Sequence, residues 1–233
     1  MRGRSLALAL LLPLAVSAAG PAHETEPWEV EIRAFEAADR GDPPPAGGVL
    51  FVGSSSIRLW TTLAEDFPGE RTINRGFGGS EIADATRLAD RVVLPYRPRA
   101  IVLYAGDNDL ANGKTPRRVR DDFVAFVVRV RHDLPGVCIG FITVKPSPAR
   151  RHLLNAVRRA NRLVRDYAAA QQGVAYLDVF TPMLDGEGEP RPELFVDDLL
   201  HLDRDGYALW ISVIGPWLRD LPAASVSSPH SCP

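Results

Sequence analysis

The chain has 233 residues, 45% hydrophobic and 24% charged, with a formal net charge of −2. That is enough chain for one sizeable core and too little for two full domains. The balance is that of an ordinary soluble globule and argues against a nucleic-acid partner, because the arginines are scattered over 117–131 and 150–165 and interleaved with aspartate, as on solvated helix faces.

Residues 1–20, MRGRSLALALLLPLAVSAAG, combine two arginines, an apolar run from Leu6 to Val16 and a small-residue exit. These are the parts of a secretory signal peptide, and the run is too short to span a bilayer. Export to the periplasm or the medium is therefore expected, with no stable membrane insertion after cleavage. Residues 21–47 hold a short helix over Trp28–Asp39, with Val30, Ala34 and Ala37 near helical spacing, and then a breaker, Gly41-Asp42-Pro43-Pro44-Pro45. The main domain is assigned to 48–221, and the Ser/Pro-rich tail, 222–233, is expected to be disordered.

Within the domain, short apolar runs at 49–53, 71–74, 100–104, 137–144 and 174–177 read as strands. Helical patterns fit between and after them, at 55–65, 80–94, 116–134, 149–171 and 204–219. Alternation of this kind predicts an α/β fold, a three-layer α/β/α sandwich on a parallel sheet with right-handed crossovers. The two cysteines are expected to stay apart: Cys138 as a small hydrophobe inside a strand, Cys232 in the tail.

Four blocks carry chemistry. VLFVGSSSIRLW (49–60) runs a buried strand into serines on a strand-to-helix turn, where a hydroxyl is held outward beside backbone N–H donors. INRGFGGS (73–80) is glycine-rich but does not read as a dinucleotide fingerprint, and there is no P-loop. AGDND (105–109) and DDLLH (197–201) follow. Taken singly, each block has an ordinary explanation: a serine helix cap, a flexible turn, an Asx-turn, and a capping aspartate beside a surface histidine. The Asp107-Asn108-Asp109 cluster also has the chemistry of a hard-metal site, but no further spaced acidic set accompanies it, so no metal and no organic cofactor is expected. Ser55, Gly79 and Asn108 all fall just after predicted strands, at the edge where open α/β sheets bind ligands.

In this order, the blocks resemble those of the SGNH hydrolases, the GDSL-type esterases and lipases. The general look is closest to the platelet-activating-factor acetylhydrolase catalytic-subunit-like branch. The resemblance covers about 48–220 and implies a five-stranded, flavodoxin-like sheet in the order 2-1-3-4-5. It places Ser55 as nucleophile, with Ser54 where the family usually has aspartate. Gly79 and Asn108, with the Ser55 N–H, become the oxyanion hole, and Asp198 and His201 the last block. In such a site a base takes the serine proton during attack, a carboxylate orients the base, and fixed donors meet the oxyanion. Asp197 competes with Asp198, and Ser56 is the register alternative to Ser55. Trp60, Phe77 and Phe195, together with Leu199 or Leu200, are candidates to wall an acyl pocket. The segment Lys145-Pro146-Ser147-Pro148 is a candidate to meet an alcohol or sugar. The expected activity is hydrolysis of short-chain, acetyl-like esters of small molecules or carbohydrates. A catalytically silent binding protein and an acyltransferase are the alternatives.

Overall fold

The computed structural model describes residues 27–44, 46–221 and 232; the expected signal peptide lies outside them, as does the tail apart from Cys232. The sheet has five parallel strands, β1 (Val49–Gly53), β2 (Thr72–Gly76), β3 (Ala100–Tyr104), β4 (Cys138–Ile142) and β5 (Val174–Leu177), in the order β2-β1-β3-β4-β5. The register runs Val49 opposite Thr72 and Ala100, Ala100 opposite Cys138, and Ile139 opposite Val174. Strands β1, β3 and β4 are buried along their whole length. This is why they read as continuous apolar runs without alternation.

The helices are α1 (Glu29–Gly41), α2 (Ser55–Arg58), α3 (Leu63–Asp66), α4 (Ile82–Arg87), α5 (Ala89–Val92), α6 (Asp107–Ala111), α7 (Pro116–Asp133), α8 (Leu154–Ala169) and α9 (Arg204–Asp220). Alternate strand residues feed two cores. Leu50, Val52, Ile101, Leu103, Ile139 and Phe141 pack with Ile82, Phe123, Phe126 and Val164 on one face. Val49, Phe51, Val102 and Ile142 pack with Trp60, Trp210, Ile214 and Leu218 on the other.

Several expectations change. The helix expected over 55–65 is two short ones, broken between Arg58 and Leu63. The one expected over 80–94 is also divided, and the turn α6 was hidden in the Asp-Asn-Asp cluster. Helix α1 forms with a different buried face: Ile32 is buried, and Trp28 and Phe35 pack on the core, whereas Val30 is 83% exposed and Ala34 and Ala37 also face solvent. The spacing 28, 32, 35 is the true helical stripe.

The cysteines correct the sequence reading most directly, because Cys138 and Cys232 form a disulfide with Cα atoms 5.6 Å apart. Cys138 lies on β4 facing the α9 core. Gly173, at φ +70°, provides room for Cys232, since a Cβ there would come within 2.9 Å of the Cys232 Cβ. The bridge spans 94 residues of sequence and restricts the unfolded chain accordingly. Cys232→Ser is expected to lower unfolding stability by about 2–4 kcal/mol in urea titration. Reductant should bring the wild-type midpoint to that of the variant while leaving the variant's own midpoint unmoved.

Candidate active site

Strand β1 ends at Gly53, whose φ is +134° and where any Cβ would lie 1.8 Å from the Tyr104 carbonyl oxygen. Only glycine allows the chain to turn there against β3. Ser54 follows, fully buried, its N–H donating to the Tyr104 carbonyl and its carbonyl accepting from the Ile57 and Arg58 N–H groups. The Ser54 hydroxyl has no hydrogen-bond partner among the described residues. The backbone bonds of residue 54 thus brace this turn with no contribution from its side chain. Three further bonds fix the turn: Asn74 Nδ2 donates to the Ile57 carbonyl, the Phe77 N–H to the Gly53 carbonyl, and the Tyr207 hydroxyl to the Ser56 carbonyl.

The geometry separates the neighbouring serines. Ser55 Oγ lies 3.0 Å from His201 Nε2, whereas the Ser56 side chain is buried. His201 Nδ1 lies 2.6 Å from Asp198 Oδ2, and Asp198 Oδ1 accepts the N–H groups of Leu200 and His201 at 2.8 Å each. Partial burial pushes the Asp198 carboxyl up, but the His201 backbone and ring and the Leu200 N–H outweigh it and hold the group at about 2. An ionised Asp198 keeps the neutral imidazole proton on Nδ1, leaving Nε2 to accept from the serine hydroxyl. The loop is closed by the Val196 N–H donating to the His201 carbonyl and by a bridge between Phe195 and Leu202. Within it Leu199 adopts a left-handed φ of +55° and is 40% exposed.

On the opposite side, Gly79 has φ +77° with open space where a Cβ would be, so the backbone conformation rather than crowding calls for glycine. Trp28 supports this loop: its ring packs edge-on to Phe77 at 5.5 Å, and its Nε1 donates to the Gly78 carbonyl at 2.7 Å. The Asn108 side chain reaches across from α6 and donates to the Ser80 carbonyl at 3.1 Å. Asp107 and Asp109 diverge from it. Asp107 pairs with Lys145 at 2.8 Å. Asp109, fully buried, meets Lys114 at 2.9 Å and the Ile82 N–H. Burial pushes Asp109 up to about 6 against the pull of Lys114.

The expected pocket residues are elsewhere. Trp60, Phe77 and Phe195 are 1%, 0% and 6% exposed and belong to the two cores. Each was near a chemical block in sequence, but its apolar surface is consumed by packing. Lys145 is also buried, held by Asp107 and the Tyr104 hydroxyl. Among the described residues, the large apolar side chains left exposed in and beside the Asp198–His201 loop are Val196 and Leu199, while Leu200 is half-buried.

Sequence reading missed the clamp that holds the two halves together. Asp66, at the end of α3, accepts from Trp60 Nε1 and Thr62 Oγ1 at 2.7 Å each, and from both terminal nitrogens of Arg204 at 2.7 and 2.6 Å. Arg204 opens α9 three residues after His201, and Asp203 caps that helix through the Gly206 N–H. The only signal in the sequence is an acid and a base 138 residues apart, which no spacing rule joins.

The five-stranded parallel sheet flanked by helices is the fold of the SGNH hydrolases. A model of the GDSL-like lipase/acylhydrolase family matches residues 44–209, and the chain belongs to that family of ester-bond hydrolases. No curated protein matches the sequence. Among solved structures it is similar to a protein from Streptococcus pneumonia proposed as a platelet activating factor (20% identity, 81% of this chain and 92% of that one, TM-score 0.72). It is also similar to a GDSL-like lipase from Bacteroides thetaiotaomicron (19%, 81% and 97%, TM-score 0.69). An acetyl-xylooligosaccharide esterase from Geobacillus Stearmophilus shares the fold at 12% identity (73% and 93%, TM-score 0.59).

The Arg204 fork, assisted by Trp60 and Thr62 and opposed by burial, holds the Asp66 carboxyl at about 2, below its ordinary 3.8. A carboxyl depressed by folding adds stability above its unfolded value, and that stability is lost as pH falls through the folded one. Asp66→Asn should therefore cost about 2 kcal/mol at pH 7 and progressively less between pH 4 and pH 2. Urea unfolding of both proteins across that range measures it.

Proposed function

We propose that the protein is an exported serine esterase in which Ser55, His201 and Asp198 act as a triad. The chain of contacts from Ser55 Oγ through His201 to Asp198, 3.0 and then 2.6 Å, carries the reading. Ser55 Oγ attacks the ester carbonyl carbon as its proton passes to His201 Nε2. The tetrahedral oxyanion is met by the N–H groups of Ser55 and Gly79 and by Asn108 Nδ2. Collapse breaks the bond to the alcohol oxygen, which leaves with the proton from Nε2. Water then loses a proton to the same nitrogen, attacks the acyl carbon and releases the acid, restoring the Ser55 hydroxyl.

A short, acetyl-like acyl group on a small-molecule or carbohydrate alcohol is the substrate class we infer. The aromatic residues near the blocks are packed in the cores, and among the described residues the large apolar side chains exposed next to the triad residues in sequence are single ones, Leu59, Val196 and Leu199, which suits a short acyl chain. The acetyl-xylooligosaccharide esterase on the same fold accords with this. Export is supported by the signal-like residues 1–20 and by the Cys138–Cys232 disulfide, which suits an oxidising compartment. Among the described residues no helix is long and apolar enough to cross a membrane.

Ser55→Ala should abolish fluorophosphonate labelling and lower p-nitrophenyl acetate turnover by at least about a thousandfold, with the circular dichroism unchanged. Labelling that survives in Ser55→Ala would remove the nucleophile from this position. A well-folded wild-type protein that neither labels nor turns over acetyl, butyryl or octanoyl esters would favour a binding role.

A further inference from the structure

The Asn108 side chain is held at both ends. Its Nδ2 donates to the Ser80 carbonyl at 3.1 Å, and its Oδ1 accepts from Arg150 Nη2 at 2.9 Å. A carbonyl can only accept and a guanidinium can only donate, so the two contacts demand the same one of the two amide orientations. The NH2 group carries two hydrogens, and Ser80 uses one. The other meets no acceptor among the described residues and can serve a ligand. With the amide reversed, its oxygen would face the Ser80 carbonyl and a developing oxyanion, both negative.

Arg150 is itself placed by a buried charge network. Its Nη1 lies 3.3 Å from Asp107 Oδ2, which also takes Lys145 Nζ at 2.8 Å, and Lys145 donates to the Tyr104 hydroxyl at 2.9 Å. Asp107 and Lys145 are almost fully buried, and the Arg150 side chain is 21% exposed. Arg150 sits at a kink, φ −115° and ψ 27°, in the 3-10 turn Pro148–Leu153. The preceding Ala149 N–H donates to the Leu199 carbonyl, inside the Asp198–His201 loop. One short segment thus touches both the donor side and the base side of the site.

We propose that Arg150 is a positioning residue of the oxyanion hole, which fixes the Asn108 amide with its spare N–H turned to the oxyanion and polarises that donor through Oδ1. The proposal rests on the triad-and-hole reading above. Because the oxyanion forms only during reaction, the effect falls on kcat and leaves KM little changed. Because Lys145 remains on Asp107, loss of Arg150 leaves no buried carboxylate unpaired.

The test is a double-mutant cycle on p-nitrophenyl acetate with wild type, Arg150→Ala, Asn108→Ala and the double variant, each checked by thermal melting. Asn108→Ala should lower kcat by about a hundredfold to a thousandfold. Arg150→Ala should lower it by about tenfold to a hundredfold with KM within about twofold. In the Asn108→Ala background, removing Arg150 should change kcat by less than about twofold, since there is no amide left to orient. Added guanidinium should restore activity to Arg150→Ala and not to the double variant. A full Arg150 effect that persists without Asn108 would overturn the proposal and make Arg150 a substrate or folding contact. Wild-type kcat in Arg150→Ala would overturn it too, showing that Ser80 suffices. If Asn108→Ala kept wild-type kcat, the hole itself would fail and Arg150's role with it, an outcome distinct from either of those.

Discussion

Everything at this site depends on holding the start of α9 against the segment that follows β1. Ser55 and His201 are 146 residues apart in sequence, yet their side chains meet at 3.0 Å. The carboxylate of Asp66, almost fully buried, takes both terminal nitrogens of Arg204 while also receiving Trp60 and Thr62. A bidentate fork fixes direction as well as distance, which a lone lysine would not do. The Tyr207 hydroxyl adds a second point of attachment one turn further along, on the Ser56 carbonyl. Between them the two contacts pin the helix on either side of its first turn, and the loop carrying Asp198 and His201 is left little freedom.

The same sheet edge carries two buried carboxylates, each with a lysine partner. Asp107 with Lys145, and Asp109 with Lys114, lie on two sides of the α6 turn that presents Asn108. Burying ions is unfavourable unless each finds a partner, and here each carboxylate has one. Lys145 and Arg150 hold Asp107 ionised in spite of its burial. Lys114 gathers Glu81, Asp109 and Asp122, linking α6 to α7 and to the loop after Gly79. These pairs add little net stability over an apolar filling. They do give a five-residue turn, too short to be rigid alone, one defined orientation.

What could be read in the sequence was whatever is local or periodic. The five strands lie within a few residues of their apolar runs, and the two-faced burial of the sheet follows from them. The motif residues could be named because each block is contiguous, and the fold sets Ser55 beside His201 and Asn108 beside the Ser80 carbonyl. One physical origin of the misreadings is that proximity in sequence says nothing about which way a side chain points. Trp60 and Phe77 stand next to functional blocks but turn into the cores. Val30 has the right spacing for a face of α1 that meets solvent. The Cys138–Cys232 bridge and the Asp66–Arg204 pair join residues 94 and 138 positions apart, with no periodicity to announce them.

Serine at position 54 fits this distribution of labour. A hydroxyl cannot brace a loop as a carboxylate can, and the Ser54 Oγ makes no hydrogen bond among the described residues. The turn holds without it, through the Ser54 N–H on Tyr104, the Phe77 N–H on Gly53, a Gly53 conformation no other residue adopts at that approach, and the side chains of Asn74 and Tyr207 on the carbonyls of Ile57 and Ser56. Around Asn108 the bracing comes from side-chain charge, because an amide on a rotatable bond is not fixed by its own backbone. Backbone donors take their orientation from the fold. An amide on a rotatable bond needs partners at both ends, and Ser80 and Arg150 are those partners.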